Sequence, residues 1–331
     1  YESDGSLTLA LHAGHRLHGR CMVDQPGFRI VNWLLEVVEV DGDRIDFGRP
    51  LRLDVRPEWN AEIWTAPLPI EEVGIEHLTI EFPVMESPEH HHEPGQSAIS
   101  LGYTVNSWVR DVAILNADNG IFFWYARYCT AEDIVIAGRG GHYGFNLGGA
   151  QDCLVTRFRI LNKSIHDTSV SNMANGNVFS WGKGKAINFD HHRGAAYQNV
   201  ASRIDVGRVR RLWRSSGTPS GHYTAAHETY WNVLPGATTR GLLPGPALHV
   251  LAPLGPPTVV EAGWYDLWVV RVADIVPVVL HRAQWDRRVG VPVPSPPTLP
   301  PPLPPHGFGS AVPSGNGLQG RAGQLPDRPP E

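Results

Sequence analysis

This chain of 331 residues is poor in charge, cysteine and methionine: charged residues make up 18%, and Cys and Met occur three times each. Charge that sparse is low for a soluble helical protein, whose outward helix faces are usually charged, and it favours a β-rich chain. Cys21, Cys129 and Cys153 are too few for a disulfide scaffold and lack the spacing of a metal motif. No apolar run approaches the ~20 residues of a membrane span. Basic residues form no long run and the net charge is −5, so no nucleic-acid partner is expected. There is no G-x-S-x-G elbow, phosphate loop, dinucleotide fingerprint or H-E-x-x-H.

The chain is rich instead in glycine (35), proline (29) and tryptophan (11), and its 42% of hydrophobic residues can fill a sizeable core. Its texture divides it into three. Residues 1–72 read as an N-terminal β segment, the remainder of a longer domain, with residues expected ahead of Tyr1. It holds a hairpin signal, in which Val37, Val38 and Val40 meet Asp41-Gly42-Asp43 and Ile45 and Phe47 alternate after it. Residues 73–240 carry repeats and an end cap. Residues 241–331, with nine prolines within 292–305, read as a largely disordered low-complexity tail.

The repeat can be counted. Ala98-Ile99-Ser100-Leu101, Gly120-Ile121-Phe122-Phe123 and Gly144-Phe145-Asn146-Leu147 align, with starts 22 and then 24 residues apart. Downstream columns agree: Val109, Ala131, Val155; then Val112, Ile134, Phe158; then Ile114, Ile136, Ile160; and, just before them, Ser107, Cys129, Cys153. Ala186-Ile187-Asn188-Phe189 reads as the next restart. A period of this length means that no unit buries its own apolar face. Leucine-rich repeats need a Leu-rich consensus and an Asn ladder, neither of which is visible, and helical repeats need a longer period. The V-x-x-V-x-I spacing is strand-like. The chain is therefore expected to be all-β: a single-stranded right-handed parallel β-helix, with an N-terminal hairpin-containing segment and a disordered Pro-rich C-terminal tail. Equivalent residues would stack about 4.8 Å apart, making Cys129 and Cys153 inward neighbours.

In such a coil the core is monotonous, and chemistry is sought at the turns. The long turn after Ile80 carries Glu89-His90-His91-His92-Glu93, a polar loop or a lid over a groove. Later turns carry Asp118, then Arg139 and His142, then Lys163, His166 and Asp167. Asp118, His142 and His166 are each 24 residues apart and are expected to form a ladder on adjacent rungs. Two rungs separate Asp118 from Asp167, roughly 10 Å, near the upper end for an inverting pair of carboxylates. A second concentration, Asp190, His191, His192 and Arg193, suits an anionic sugar. Adjacent His191 and His192 lack the spacing that puts two imidazoles on one face, so no metal is expected there. Trp213 and Arg214 are placed at the end of the same groove. For each polar turn residue the plain alternative is satisfaction of exposed backbone.

The stretch Val73 to Val233 resembles the pectate-lyase superfamily of right-handed β-helix proteins. The likeness lies in G-I-E-H-L-T-I (Gly74–Ile80), W-V-R-D-V-A-I (Trp108–Ile114) and N-x-D-H-H-R (Asn188–Arg193). A fainter similarity is to polygalacturonases. Asn116-Ala117-Asp118 matches their N-x-D, and Gly141-His142-Tyr143-Gly144 approximates their His motif. Asn119 stands where their second acid is expected, and Asp205 where a Lys is expected. This likeness implies a catalytic Asp118 with His142 in support. The expectation is a carbohydrate-active enzyme that cleaves an extracellular, acidic polysaccharide, by hydrolysis in slight preference to β-elimination. Asp118, His142, His166, Asp167 and Asp190 are the catalytic candidates. Lys163, His191, His192, Arg193, Trp213 and Arg214 are the substrate-binding candidates. No cofactor is expected, save Ca2+ for a lyase, and the protein is expected to be monomeric and extracellular or at the cell surface. The alternative is a non-catalytic polysaccharide-binding or cell-surface structural β-helix.

Overall fold

The computed structural model describes residues 6–15, 32–87, 89–192, 194–209, 211–215, 226–235, 245, 247–252, 265–270 and 277–290. Two parallel sheets wind together as a parallel β-helix. One has 11 strands and runs from Gly74–Glu81 to Tyr265–Val270. The other has six: Ser97–Gly102, Asn119–Trp124, Gly141–Gly148, Ser164–Ser171, Phe189–His191 and Trp213–Ser215. A third edge is a ladder of single bridges, Val105–Arg127–Gln151–Asn175–Tyr197.

The pairing follows the columns visible in the sequence. Val109, Ala131 and Val155 are in register, as are Ile114, Ile136 and Ile160 on the long sheet and Ile99, Ile121 and Phe145 on the short one. All are buried and belong to one hydrophobic core. Corners are made by single left-handed residues stacked rung upon rung. His77, Asp111, Asp133, Arg157, Trp181 and Arg203 form one such column; Asn106, Tyr128, Asp152, Gly176, Gln198 and His227 form another. A left-handed non-glycine residue costs roughly 1–2 kcal/mol, so the corners persist because the packing on either side of them is continuous.

The sequence alignment misses one rung. Phe145-Asn146-Leu147 faces Thr168-Ser169-Val170, which in turn faces Phe189-Asp190-His191. Thr and Ser conceal the apolar signature of the strand Ser164–Ser171, so the restart at Ala186–Phe189 falls two residues out of register. A shift of two leaves each residue on its own face, with Phe189 and His191 inward and Asp190 outward, but changes which residues stand beside them on the neighbouring strand. The column Ser107, Cys129, Cys153 also continues, as Asn177, Asn199 and Glu228, each one residue ahead of a paired position. Asn177 Nδ2 donates to Ala150 O and to Asn199 Oδ1, both at 2.9 Å, and Asn199 Nδ2 donates to Ala174 O (3.0 Å) and Glu228 Oε1 (2.8 Å). This is an asparagine ladder of the kind the sequence reading held absent. Cys129 and Cys153 are buried and free.

The N-terminal segment straps the third edge. Its helix Ser6–Leu11 and Trp59 pack on Met173, Ala195 and Tyr197, and Arg49 and Arg52 both pair with Asp152. Its hairpin forms as expected, with Val37–Asp41 paired to Arg44–Phe47 around Gly42 and Asp43. Ordered structure also enters the stretch read as a tail from residue 241. Strands Leu248–Ala252 and Tyr265–Val270 extend the long sheet, and helix Leu280–Val289 follows. The physical reason is that the last rung offers unpaired backbone groups, which short apolar runs can satisfy even beside prolines. The proline run 292–305 lies outside the described residues.

Two substitutions test this architecture. A Cβ on Gly120 would sit 2.2 Å from Gly144 O and 2.8 Å from Ile136 Cδ1, so Gly120→Ala is expected to cost about 1–3 kcal/mol in denaturant unfolding. Asn177→Ala removes the donor to Ala150 O and the acceptor for the Cys153 N–H, for a loss of about 2–3 kcal/mol by the same measurement.

Candidate functional site

The outward face of the six-stranded sheet carries a cluster of rings. Tyr143 is in register with Asn119 on one side and His166 on the other. Equivalent positions on neighbouring strands are about 4.8 Å apart, and the rings of Tyr143 and His166 accordingly stack at 4.9 Å. His142 stacks on Tyr143 at 4.5 Å and on His166 at 5.3 Å. His192 meets His166 edge-on at 4.9 Å and Tyr143 at 5.9 Å. From above, the turn after Ile80 adds His90, 4.7 Å from His142 and stacked on His91 at 3.7 Å. Glu93 on that turn pairs with His142 Nδ1 at 2.9 Å.

Asp190 is the floor of the cluster. It is fully buried, and its Oδ2 accepts from Ser169 Oγ (2.9 Å) and His192 Nδ1 (3.2 Å) and lies 3.1 Å from His166 Nδ1. Burial alone would raise its pKa, but the imidazoles of His166 and His192 outweigh burial and hold it well below the usual carboxylate range. His142 is driven the other way: burial lowers its pKa to about 4, with Glu93 opposing and the neighbouring imidazoles adding to the drop. Arg214 follows Asp190 in register on the next strand, half-buried, and donates to Ile165 O.

Of the residues singled out in the sequence, His142, His166, Asp190 and His192 thus come together. Asp118, His142 and His166 do not form a straight ladder, because 23 residues, not 24, separate Tyr143 from its partner His166; the column reads Asn119, Tyr143, His166. Asp118 is fully buried. It accepts from Arg139 (2.5 Å) and from the Gln96 N–H (2.6 Å), while Arg139 also holds Gln96 Oε1. That clamp anchors the foot of the histidine-bearing turn and leaves Asp118 without solvent exposure. Asp167 lies opposite Gly144 on the interior side and accepts from the Asn188 N–H and Nδ2. Burial lifts its pKa to about 7, opposed by backbone N–H groups of Asn188 and Ser164.

His191 points into the core, where its Nε2 lies 3.0 Å from the Tyr230 hydroxyl and burial lowers its pKa to about 4. Trp213 fills the core beside Tyr230, at 5.5 Å between rings, and offers no exposed face for a sugar. The inward register of the strands Phe189–His191 and Trp213–Ser215 is the cause in both cases. Lys163 is exposed, and Arg193 lies outside the described residues. Tyr143 was missed by the sequence reading, although its place beside His142 in the third aligned copy was available as a signal.

Farther along the same sheet, Trp124 covers Gly148 and Tyr125 covers Gly149, so closely that a Cβ on either glycine would meet the ring at 2.4–2.5 Å. Tyr103 stacks on Tyr125 at 5.4 Å. Tyr103 is 63% and Trp124 36% exposed, which makes an aromatic shelf. It lies five residues from Tyr143 along the strand Gly141–Gly148, or about 16 Å. Calcium, the ion a pectate-lyase likeness would bring, does not fit the ring cluster: it takes six to eight oxygen ligands, and these are mostly imidazoles. No helix among the described residues is long and apolar enough to cross a membrane.

The chain matches no protein-family model, no curated protein and no solved structure. The structure itself establishes the fold, a parallel β-helix.

Removing one partner of the buried Asp118–Arg139 pair leaves an uncompensated charge. Asp118→Asn is expected to cost about 3–5 kcal/mol in stability, as thermal or denaturant unfolding would show.

Proposed function

We propose that this protein cleaves a uronate-containing polysaccharide by β-elimination on the outer face of the six-stranded sheet. The observation that carries the reading is the stacked group His142, Tyr143 and His166, with Arg214 close by. Elimination needs a group that takes the proton on the carbon next to the uronate carboxylate, and a cationic neighbour for that carboxylate. Tyr143 is the proton-transfer group. The C–H electron pair becomes the new C=C bond, and the glycosidic C–O pair leaves with the oxygen of the departing sugar, which takes up a proton. The product carries an unsaturated uronate at its new end. Arg214 supplies positive charge on the same face.

Hydrolysis is the weaker reading, because it needs two accessible carboxylates, one of them protonated. Asp118 and Asp167 are both buried, and the carboxylates at the cluster, Asp190 and Glu93, are engaged by imidazoles. The shelf of Tyr103, Trp124 and Tyr125 supports a sugar partner, since aromatic faces with polar tips suit pyranose rings. It equally favours the second reading, a polysaccharide-binding β-helix without catalysis. Membership of the pectate-lyase superfamily and an extracellular or cell-surface location accompany the proposal.

The test is a panel of acidic polysaccharides read both by absorbance of unsaturated uronate and by reducing ends. The wild type is expected to raise both signals together, and Tyr143→Phe to lose ~10²-fold or more in rate with its melting temperature kept. Reducing ends without the absorbance would mean hydrolysis. Binding with neither signal would mean a binding module. In either active case Trp124→Ala is expected to weaken polymer binding ~10-fold, or about 1.4 kcal/mol, as measured by affinity electrophoresis.

A further inference from the structure

The floor of the ring cluster has the make-up of a metal site. His166, Asp190 and His192 each offer one ligand atom, and these atoms lie within 4.8 Å of one another. Asp190 Oδ2 is 3.1 Å from His166 Nδ1 and 3.2 Å from His192 Nδ1. Metal–ligand bonds of about 2.0–2.2 Å set neighbouring ligand atoms about 3–3.5 Å apart around a tetrahedral or octahedral ion. Both spacings fall in that range.

His166 is the decisive residue. It is 5% exposed, and neither of its ring nitrogens has a hydrogen-bond partner; Nδ1 faces Asp190 off the line that an N–H···O bond requires. Asp190 is fully buried, and its Oδ1 is likewise without a hydrogen-bond partner. Roughly 90% or more of buried polar groups are satisfied in native proteins, so a buried imidazole with neither nitrogen bonded, its Nδ1 set 3.1 Å from Asp190 Oδ2, calls for a partner. A proton satisfies one nitrogen–oxygen pair. A cation satisfies all three ligands at once and neutralises the buried carboxylate. The ligands are also pre-placed. Asp190 is on the strand Phe189–His191, His192 follows it directly, and His166 stands on the neighbouring strand, while Ser169 Oγ orients the carboxylate by donating to Oδ2.

We propose that His166, Asp190 and His192 bind one divalent transition-metal ion of the zinc type, with Tyr143 stacked on His166 beside the site. Two imidazoles and a carboxylate, leaving coordination positions free, form a known ligand set for such ions and a poor one for calcium or magnesium. A rival trio, His90, His142 and His166, also meets the 4.8 Å spacing. It has no carboxylate, and His90 belongs to the exposed turn, so the set containing Asp190 is preferred. The role of the ion as the cationic pole for a uronate carboxylate rests on the β-elimination reading. Its binding does not.

The experiment uses the full chain, freed of any histidine tag and stripped with a chelator, then titrated with Co2+ and back-titrated with Zn2+. One Co2+ per chain is expected, with visible absorption bands that Zn2+ abolishes, and with a rise in melting temperature for either ion. His192→Ala, at a half-exposed position, is expected to fold and to weaken binding at least tenfold, as is Asp190→Asn, whereas His90→Ala stays within a few-fold of wild type. No stoichiometric binding in the wild type would overturn the proposal. So would a His192→Ala protein that binds as tightly as wild type, and loss of binding in His90→Ala alone would move the ion to the rival trio. Stoichiometric binding with no unsaturated product from any polymer would leave the metal site standing and sink the cleavage reading. Undiminished cleavage by protein that binds no ion would do the reverse.

Discussion

Parallel, in-register pairing from rung to rung is the constraint on which the rest of this molecule depends. Because each strand must match its neighbours, the same inward columns recur, and the same left-handed corner recurs beside them at His77, Asp111, Asp133, Arg157, Trp181 and Arg203. A corner residue in that conformation is unfavourable taken singly. It is held because a slip by one residue would turn Val109, Ala131 and Val155 out of the core together. The asparagine ladder serves the same constraint where the apolar filling gives way: Asn177 and Asn199 satisfy backbone carbonyls of the preceding rung.

The same stacking makes chemistry possible on the outside. Residues some twenty positions apart in the chain arrive about 4.8 Å apart in space. Tyr143 and His166 meet in this way, and so do Ser169 and Asp190. The outward face therefore gathers imidazoles and a phenol from three consecutive rungs without any local motif. Asp190 closes that face from below, and the long turn bearing His90 and Glu93 closes it from above, with its foot fixed by the Asp118–Arg139–Gln96 clamp. Asp118, a catalytic candidate on sequence, lies fully buried within that clamp.

Asp167, His191 and Trp213, which the sequence offers as catalytic or substrate-binding candidates, each fall on the inward side of a strand and are buried. In the rung Ser164–Ser171 a Thr stands at the inward place in register with Phe145 and Phe189, so the alternation that decides which side chains turn inward is not legible in the apolar pattern there. Cys129 and Cys153, by contrast, lie where an inward column predicts, free and stacked.

The sequence by itself determined the period, the class of fold, the hairpin about Gly42 and most of the inward columns, because apolar spacing is a local property that survives without coordinates. It also pointed to His142, His166, Asp190 and His192 as residues of interest. Only the tertiary structure decided which of the polar residues face each other, since that depends on counting every residue between rungs, and a difference of one, 23 against 24, exchanges His142 for Tyr143 in the column beside His166. Burial of Asp118 and Asp167 was likewise settled by neighbours that stand one rung away in space and more than twenty residues away in the chain.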